Sequence, residues 1–448
     1  MPIKFFAFSI LLAPFFVVGS CLLGGAELEK KNDLIVPVKD SQGCEIFVDQ
    51  KSFVKHGIDS SQFLRINDIV KAAITKKAFP GCQVFVSYKG DILFNKSYGS
   101  PTYESNTLIN NDFIYDIASV TKIVGATLAL MRLETMGKFS VDKKLLDYIP
   151  EVTRGTPYGD INIREMLAHQ AGLVAWIPFY KKTLVNNQLS ESIYSLIKDE
   201  EHSLQVANKC WISKNYFDTI LARITQAPLG KSEYLYSDLG YYFLKRIIEK
   251  QSGVSLDVFL KKEFYEPLGL KTVGYNPTLY YDLSKITPTE NDLVFRKQLI
   301  QGYVHDPGAA MLGGVGGHAG LFSNATELGV IMQLLLNKGE MNGKRYIDAK
   351  VVEEYTKTQF PGNRRGIGFD KPPLNGHGGG VSSEVSSSSF GHTGFTGTIV
   401  WADPKEDLVY VFLSNRVYPS AENWKIVSMN VRTEIQKVIY KTIMSRKK

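Results

Sequence analysis

The sequence predicts a mixed α/β (α+β) fold, with one antiparallel sheet flanked by helices and joined to a helical subdomain. Three observations predict it. β-Rich runs gather near both ends of the chain ("CQVFVSYKGDILFNKSYG", "TGTIVWADP" and "DLVYVFLSNR"), helical patterns dominate from about 140 to 280, and a long apolar helix beginning "SVTKIVGATLALM" stands between them. Terminal strands of this kind build one sheet, and the helices between them cover it and form the subdomain. The apolar helix then lies between the two parts, which places a site in their cleft.

Taken in order, Lys4 is followed by "FFAFSILLAPFFVVGSC", an apolar stretch broken by Pro14 and too short to span a bilayer. It has the form of a signal-peptide core, so residues 1–20 are expected to be removed. Val18-Gly19-Ser20-Cys21 resembles a bacterial lipobox, in which the cysteine is lipidated and becomes the new N-terminus. The expectation is an exported bacterial lipoprotein, anchored to a membrane in the periplasm or at the cell surface, because two or more acyl chains hold stably. Residues 21–60 read as a polar tether with a short strand in "CEIFVD", and residues 61–448 as the folded domain. "SQFLRINDIVKAAITKKAFPG" has helical periodicity and stops at Pro80-Gly81. A hairpin joined by Lys89-Gly90-Asp91 comes next, and the apolar helix closes at Gly137. "NIREMLAHQAG" and "SDLGYYFLKRIIEKQSG" are helical, as is "ATELGVIMQLLLNKG" after the glycine cluster "MLGGVGGHAGLFS". "NGHGGGVSSEVSSSSFG" is a low-complexity loop or turn. Two strands and the helix "NVRTEIQKVIYKTIM" complete the chain.

Composition narrows the function. Of 448 residues, 44% are hydrophobic and 22% charged, ordinary for a chain with a substantial core. The formal charge of +7 is modest and no basic run is interleaved with aromatics, so nucleic acid is not an expected partner. Without Cys21, the remaining Cys44, Cys82 and Cys210 have irregular spacing with no zinc pattern, and an odd count argues against a disulfide framework. Cys82 reads as a buried strand residue. The seven histidines show no paired ligand spacing, so neither a metal nor a cofactor is expected.

The chemistry gathers at Ser119-Val120-Thr121-Lys122. A spacing of three puts both side chains on one helical face. Apolar surroundings are expected to lower the lysine pKa, so that Lys122 acts as the base that activates Ser119. Free N–H groups at the helix start suit a developing oxyanion. Four other S-x-x-K matches, beginning at Ser52, Ser140, Ser195 and Ser445, lie in polar surroundings where a lysine stays protonated. Tyr236-Ser237-Asp238 precedes a helix, where a phenol can relay a proton to a leaving group. His392-Thr393-Gly394 opens a strand that can bind substrate backbone.

Taken in order, these motifs resemble the serine β-lactamase and penicillin-binding protein superfamily, nearest to class C β-lactamases and low-molecular-weight D,D-peptidases, over roughly residues 65–440. "MLAHQAGL", "GKFSVDKKLLDYIP" and "GGHAGLFSNATEL" are similar to further signatures of that family, and the run "HDPGAAMLGGVGGHAGLFS" also resembles serine-hydrolase domains fused to some glycosidases. The resemblance implies a β-lactamase/transpeptidase-like fold, with Ser119 as acylated nucleophile, Lys122 as base and Tyr236 as proton relay. It implies that His392 and Thr393 bind a substrate carboxylate beside Gly394, and that the N–H groups of Ser119 and Phe395 form the oxyanion hole. His169 and His318 belong to its signatures as structural residues. Asp238 stands where the family has Asn, so a hydrogen-bond donor to substrate becomes an acceptor. The implied activity is a D-alanyl-D-alanine carboxypeptidase on peptidoglycan peptides. The alternatives are a carboxylesterase or weak class C-type β-lactamase, taking small amide, ester or β-lactam substrates, or a non-catalytic penicillin-binding scaffold.

Overall fold

The structure, a computed structural model, describes residues 38–39, 45–46, 50–376 and 378–445. Its main sheet has five antiparallel strands: β1 (Gly81–Tyr88), β2 (Asp91–Gly99), β3 (Phe390–Gly394), β4 (Thr398–Asp403) and β5 (Leu408–Ser414), in the order β3-β4-β5-β1-β2. The β1–β2 turn passes through Lys89 and Gly90, both at positive φ (51° and 80°), which matches the right-handed twist of the strands it joins. β5 pairs with β1 from Ser414↔Cys82 to Leu408↔Tyr88, so segments from the two ends of the chain meet in mid-sheet.

Both central strands are buried along their whole length because helices cover both faces. On one face α1 (Leu64–Thr75) sits beside a C-terminal helix, Val431–Ser445, and Ile66, Val70, Ile435 and Ile439 pack against Val84, Val86, Tyr410 and Phe412. The intervening residues of the same strands, among them Phe85, Val409 and Val411, meet the other layer, following the strand period of two. That layer holds α2 (Leu128–Thr135), α3 (Gly240–Ser252) and α4 (Ala325–Leu336). The C-terminal helix is α5.

The architecture agrees with the sequence reading, and the differences are local. The expected tether reached residue 60, but Gln50–Lys55 is helical and Phe53 and Ile58 join the core, so packing begins earlier. The expected strand in "CEIFVD" is present as Glu45–Ile46, paired with Val38–Lys39. Cys82 is a buried strand residue. Within the helical subdomain, short strands Tyr194–Ser195, Leu204–Ala207 and Cys210–Ile212 form a small antiparallel sheet. Runs of two to four residues are too short to show a period of two. The low-complexity loop is pinned, with Ser382 N–H donating to Gln436 and Ser386 N–H to Asp403. Cys21 and Cys44 lie outside the described residues. Among the described residues no helix is long and apolar enough to cross a membrane.

Candidate active site

Ser119 is delivered by a strained turn. Tyr115–Asp116 pairs with Leu321–Ser323, and a single 3₁₀ turn, Ala118–Val120, follows. Ala118 lies at φ 47°, an unusual conformation for a residue with a side chain. Asp116 holds it there: one carboxylate oxygen accepts the Ala118 N–H at 2.8 Å and the other the His305 N–H at 2.7 Å. The expected continuous α-helix is instead this 3₁₀ turn, a π-helical stretch Lys122–Thr127, and only then α2. Such π-turns recur at functional sites because they re-aim side chains.

β3 is packed directly on this turn. A methyl group added to Gly394 would stand 2.6 Å from the Ile117 carbonyl and 2.1 Å from Thr398 Oγ1, so only glycine fits. The Thr396 hydroxyl donates to the Asp116 carbonyl at 2.8 Å and that of Thr398 to the Ile117 carbonyl at 3.1 Å. His392-Thr393-Gly394 ends one strand rather than opening the next. Phe395 sits in the turn between β3 and β4, with Gly397 at φ 99°.

Ser119 Oγ accepts hydrogen bonds from Lys122 Nζ at 2.8 Å and from the Tyr236 hydroxyl at 3.0 Å. Tyr236 is placed by His169, whose ring centroid lies 4.5 Å from its own and whose Nδ1 accepts the Ser237 N–H at 3.2 Å. Lys122 is fully buried. Its ammonium also donates to the His318 carbonyl at 3.3 Å and lies 2.7 Å from Asp238 Oδ1. The Asp238 contact falls outside hydrogen-bonding angles and is a close ion pair. Two expectations are corrected here. Burial does press the Lys122 pKa down, but the Asp238 carboxylate outweighs it and holds the lysine above its ordinary value, as an ammonium. Asp238, expected as a substrate contact, is the counter-ion of Lys122. Burial also keeps the Tyr236 phenol protonated, against the pull of Lys122.

His392 is corrected as well. Its Nδ1 lies 2.7 Å from the Thr393 carbonyl, which can only accept, so the proton is on Nδ1 and a bare Nε2 is left without a partner. Burial, with Arg365 and Lys122 nearby, pushes its pKa down to about 3. A neutral ring with a lone pair on Nε2 cannot hold a carboxylate. The positive charge comes from Arg365, which sequence reasoning missed. Its side chain is 4% exposed and its guanidinium carbon lies 5.3 Å from the Tyr236 ring centroid, with Nε and Nη1 unpartnered in hydrogen-bond terms. Asp370, 3.5 Å away, is already engaged by Arg364 through two hydrogen bonds of 2.6 and 2.9 Å. One carboxylate between two guanidiniums leaves a positive charge over.

A cleft of about 770 Å³ opens onto Ser119, lined by Tyr236, Asp238, Arg365, His392, Thr393, Gly394 and Phe395 among others, so the predicted residues are brought together. Of the histidines expected to be structural, His169 supports Tyr236, while His318 offers its carbonyl to Lys122 and its ring to Asp306 at 2.8 Å. Among the described residues no cluster of three His, Cys, Asp or Glu side chains is arranged for a metal ion. The set has the parts for acyl transfer: a hydroxyl between an ammonium and a phenol, with a carboxylate paired to the ammonium.

A family model described as Beta-lactamase matches residues 66–427. A relative from Bacillus subtilis (strain 168), named "N-acetylmuramyl-L-alanine amidase", is 28% identical over 367 residues, covering 75% of this chain and 77% of that one. A relative from Salmonella paratyphi A, named "Putative D-alanyl-D-alanine carboxypeptidase", is 29% identical over 402 residues, covering 83% and 86%. Among solved structures, a penicillin-binding protein homolog from Caulobacter crescentus superposes with a TM-score of 0.60 at 16% identity, covering 85% of this chain and 97% of that one. EstCE1, a hydrolase with promiscuous acyltransferase activity, gives 0.60 at 19% identity, covering 85% and 99%.

Proposed function

This chain belongs to the beta-lactamase family of serine hydrolases, and we propose that it cleaves peptidoglycan peptides ending in D-alanine, through an acyl-enzyme on Ser119, in the bacterial cell envelope. The observation that carries the substrate is Arg365, a buried guanidinium with unpartnered donors beside Tyr236 and His392, suited to a free terminal carboxylate. The Salmonella relative supports the same class of bond.

In the chemistry we propose, Lys122 gives a proton to Asp238 and takes the proton of Ser119 as Oγ attacks the scissile carbonyl carbon. The N–H groups of Ser119 and Phe395 receive the developing oxyanion. Collapse breaks the C–N bond, and the departing D-alanine amine takes a proton from the Tyr236 hydroxyl, which is refilled from Lys122. Water then enters by the reverse route and releases the shortened peptide. Asp238 is what makes this workable, since a lysine held as an ammonium needs somewhere to put its proton.

A second reading is favoured by the Bacillus relative: the same groups would attack the amide between a muramyl unit and L-alanine. Digestion of purified muropeptides followed by mass spectrometry separates the two. Free alanine with a peptide one residue shorter is expected; a sugar-free stem peptide establishes the second reading. Neither product, with a nitrophenyl ester still hydrolysed, rules out both and leaves the carboxylesterase. Nitrocefin turnover reports the β-lactamase alternative, and the absence of every turnover with intact penicillin labelling reports the scaffold.

A further inference from the structure

Two arginines on the cleft wall are left over by the chemistry proposed for Ser119. Arg416, just past β5, is 2% exposed. Three backbone carbonyls fix its guanidinium: Phe395 at 2.7 Å, Ala421 at 2.9 Å and Asn423 at 2.8 Å. The rings of Phe395 (4.5 Å) and Trp424 (4.1 Å), set edge to face with each other, both lie against it, and its Nη2 has no partner. Arg432, in the first turn of α5, donates from Nη1 to the Thr398 carbonyl at 2.9 Å. The carboxylates that act on Arg416 are Glu290 and Glu422, and neither is in contact with it; Glu290 is engaged by His305 at 2.9 Å.

Holding a loop by its carbonyls needs donors, not charge. Neutral donors would do it without the cost of burying a cation. Burial and the neighbouring Arg432 push the Arg416 pKa down to about 10, against the pull of Glu290 and Glu422. Matching the charges of the cleft gives the same result. Asp238 goes with Lys122 and Asp370 with Arg364, while Asp306 is tied to the His318 ring and the Ala309 N–H, which leaves Arg365, Arg416 and Arg432 without a carboxylate of their own. Arg365 lies against Tyr236, whereas Arg416 lies against Phe395 and Trp424, so these are two stations on the cleft wall. Phe395 and Trp424, 44% and 50% exposed, give the second station flat apolar walls.

We propose that Arg416 and Arg432 form a second anion subsite, which takes a carboxylate that the substrate carries away from the bond being cleaved. The cleft then selects dicarboxylate peptides: one carboxylate on Arg365, the other on this pair. The inference rests on reading the cleft as that of a peptide hydrolase, and it narrows the substrate to acidic peptides.

Calorimetric titration of the full-chain Ser119→Ala protein tests it, using N-acetyl-D-glutamate and its monoamide N-acetyl-D-glutamine as probes. The dicarboxylate is expected to bind about tenfold more tightly, as a charge-assisted hydrogen bond allows, with an advantage that shrinks as salt is added. Arg432→Gln in that background is expected to bring the dicarboxylate down to the affinity of the monoamide. Arg432 is the deciding position because Arg416 also ties down a loop. Equal affinities before Arg432 is changed, an advantage indifferent to salt, or one that survives Arg432→Gln each overturn the subsite. Fluorophosphonate labelling of Ser119 in the wild type, lost in Ser119→Ala, tests the nucleophile separately, so the two readings can fail independently.

Discussion

Replacing Asp238 distinguishes two ways of activating Ser119. With Asp238 as the proton's destination, Asp238→Asn lowers kcat near pH 7 by about a hundredfold or more, the usual worth of a positioned base. The residual activity then climbs with pH as Lys122 sheds its own proton. Were Lys122 an independent base, the same change would remove the anion that favours its ammonium and raise kcat near pH 7. Rate profiles against pH for both proteins decide, because the two mechanisms predict opposite directions. His392 offers a second handle. Its folded pKa of about 3 lies below the unfolded value of 6.5, so the unfolded chain binds more protons between those values. Its contribution is therefore present above 6.5 and lost as pH falls toward 3, by up to about 1.4 kcal/mol per pH unit. His392→Gln cannot titrate and is expected to show a shallower loss in urea unfolding between about pH 6.5 and pH 4. Parallel losses in the two proteins would show that the folded ring is charged.

Between elements, the contact that matters is β3 on the turn carrying Ser119. Gly394→Ala places a methyl group against the Ile117 carbonyl and Thr398 Oγ1. Relieving that overlap moves the strand and costs about 1–3 kcal/mol. Fluorophosphonate labelling of Ser119 is expected to slow at least tenfold in a protein whose circular dichroism is retained; an unchanged labelling rate would mean that β3 does not position the turn. This scale also explains what the sequence could and could not reveal. Ser119 and Lys122 were legible because a spacing of three within one segment carries the whole pattern. The counter-ion role of Asp238 and the charge on Arg365 were not, because each depends on which distant segment lies against it. The Thr396 bond to the Asp116 carbonyl joins residues 280 apart and has no local signature. The π-turn was missed for another reason: its residues, "KIVGAT", have the same apolar character as the α-helix that follows.

For the molecule as a whole, the paired terminal strands were legible because each run is long enough to show its composition, whereas the small sheet between 194 and 212 was not. The N-terminal segment carries its own test. Growth with labelled palmitate is expected to mark the wild type and not Cys21→Ser; wild-type protein that is unlabelled and freely soluble would overturn the anchor and leave ordinary secretion. The pairing of β1 with β5 sets an order in time as well as in space. Ser119 leaves the ribosome long before Thr396 and Thr398, whose hydroxyls hold the backbone on which it stands. A nascent or prematurely ended chain thus carries its nucleophile on an unsupported turn. On the proposed mechanism, hydrolytic competence would arrive only with the last strands, and an interrupted translation product would lack it.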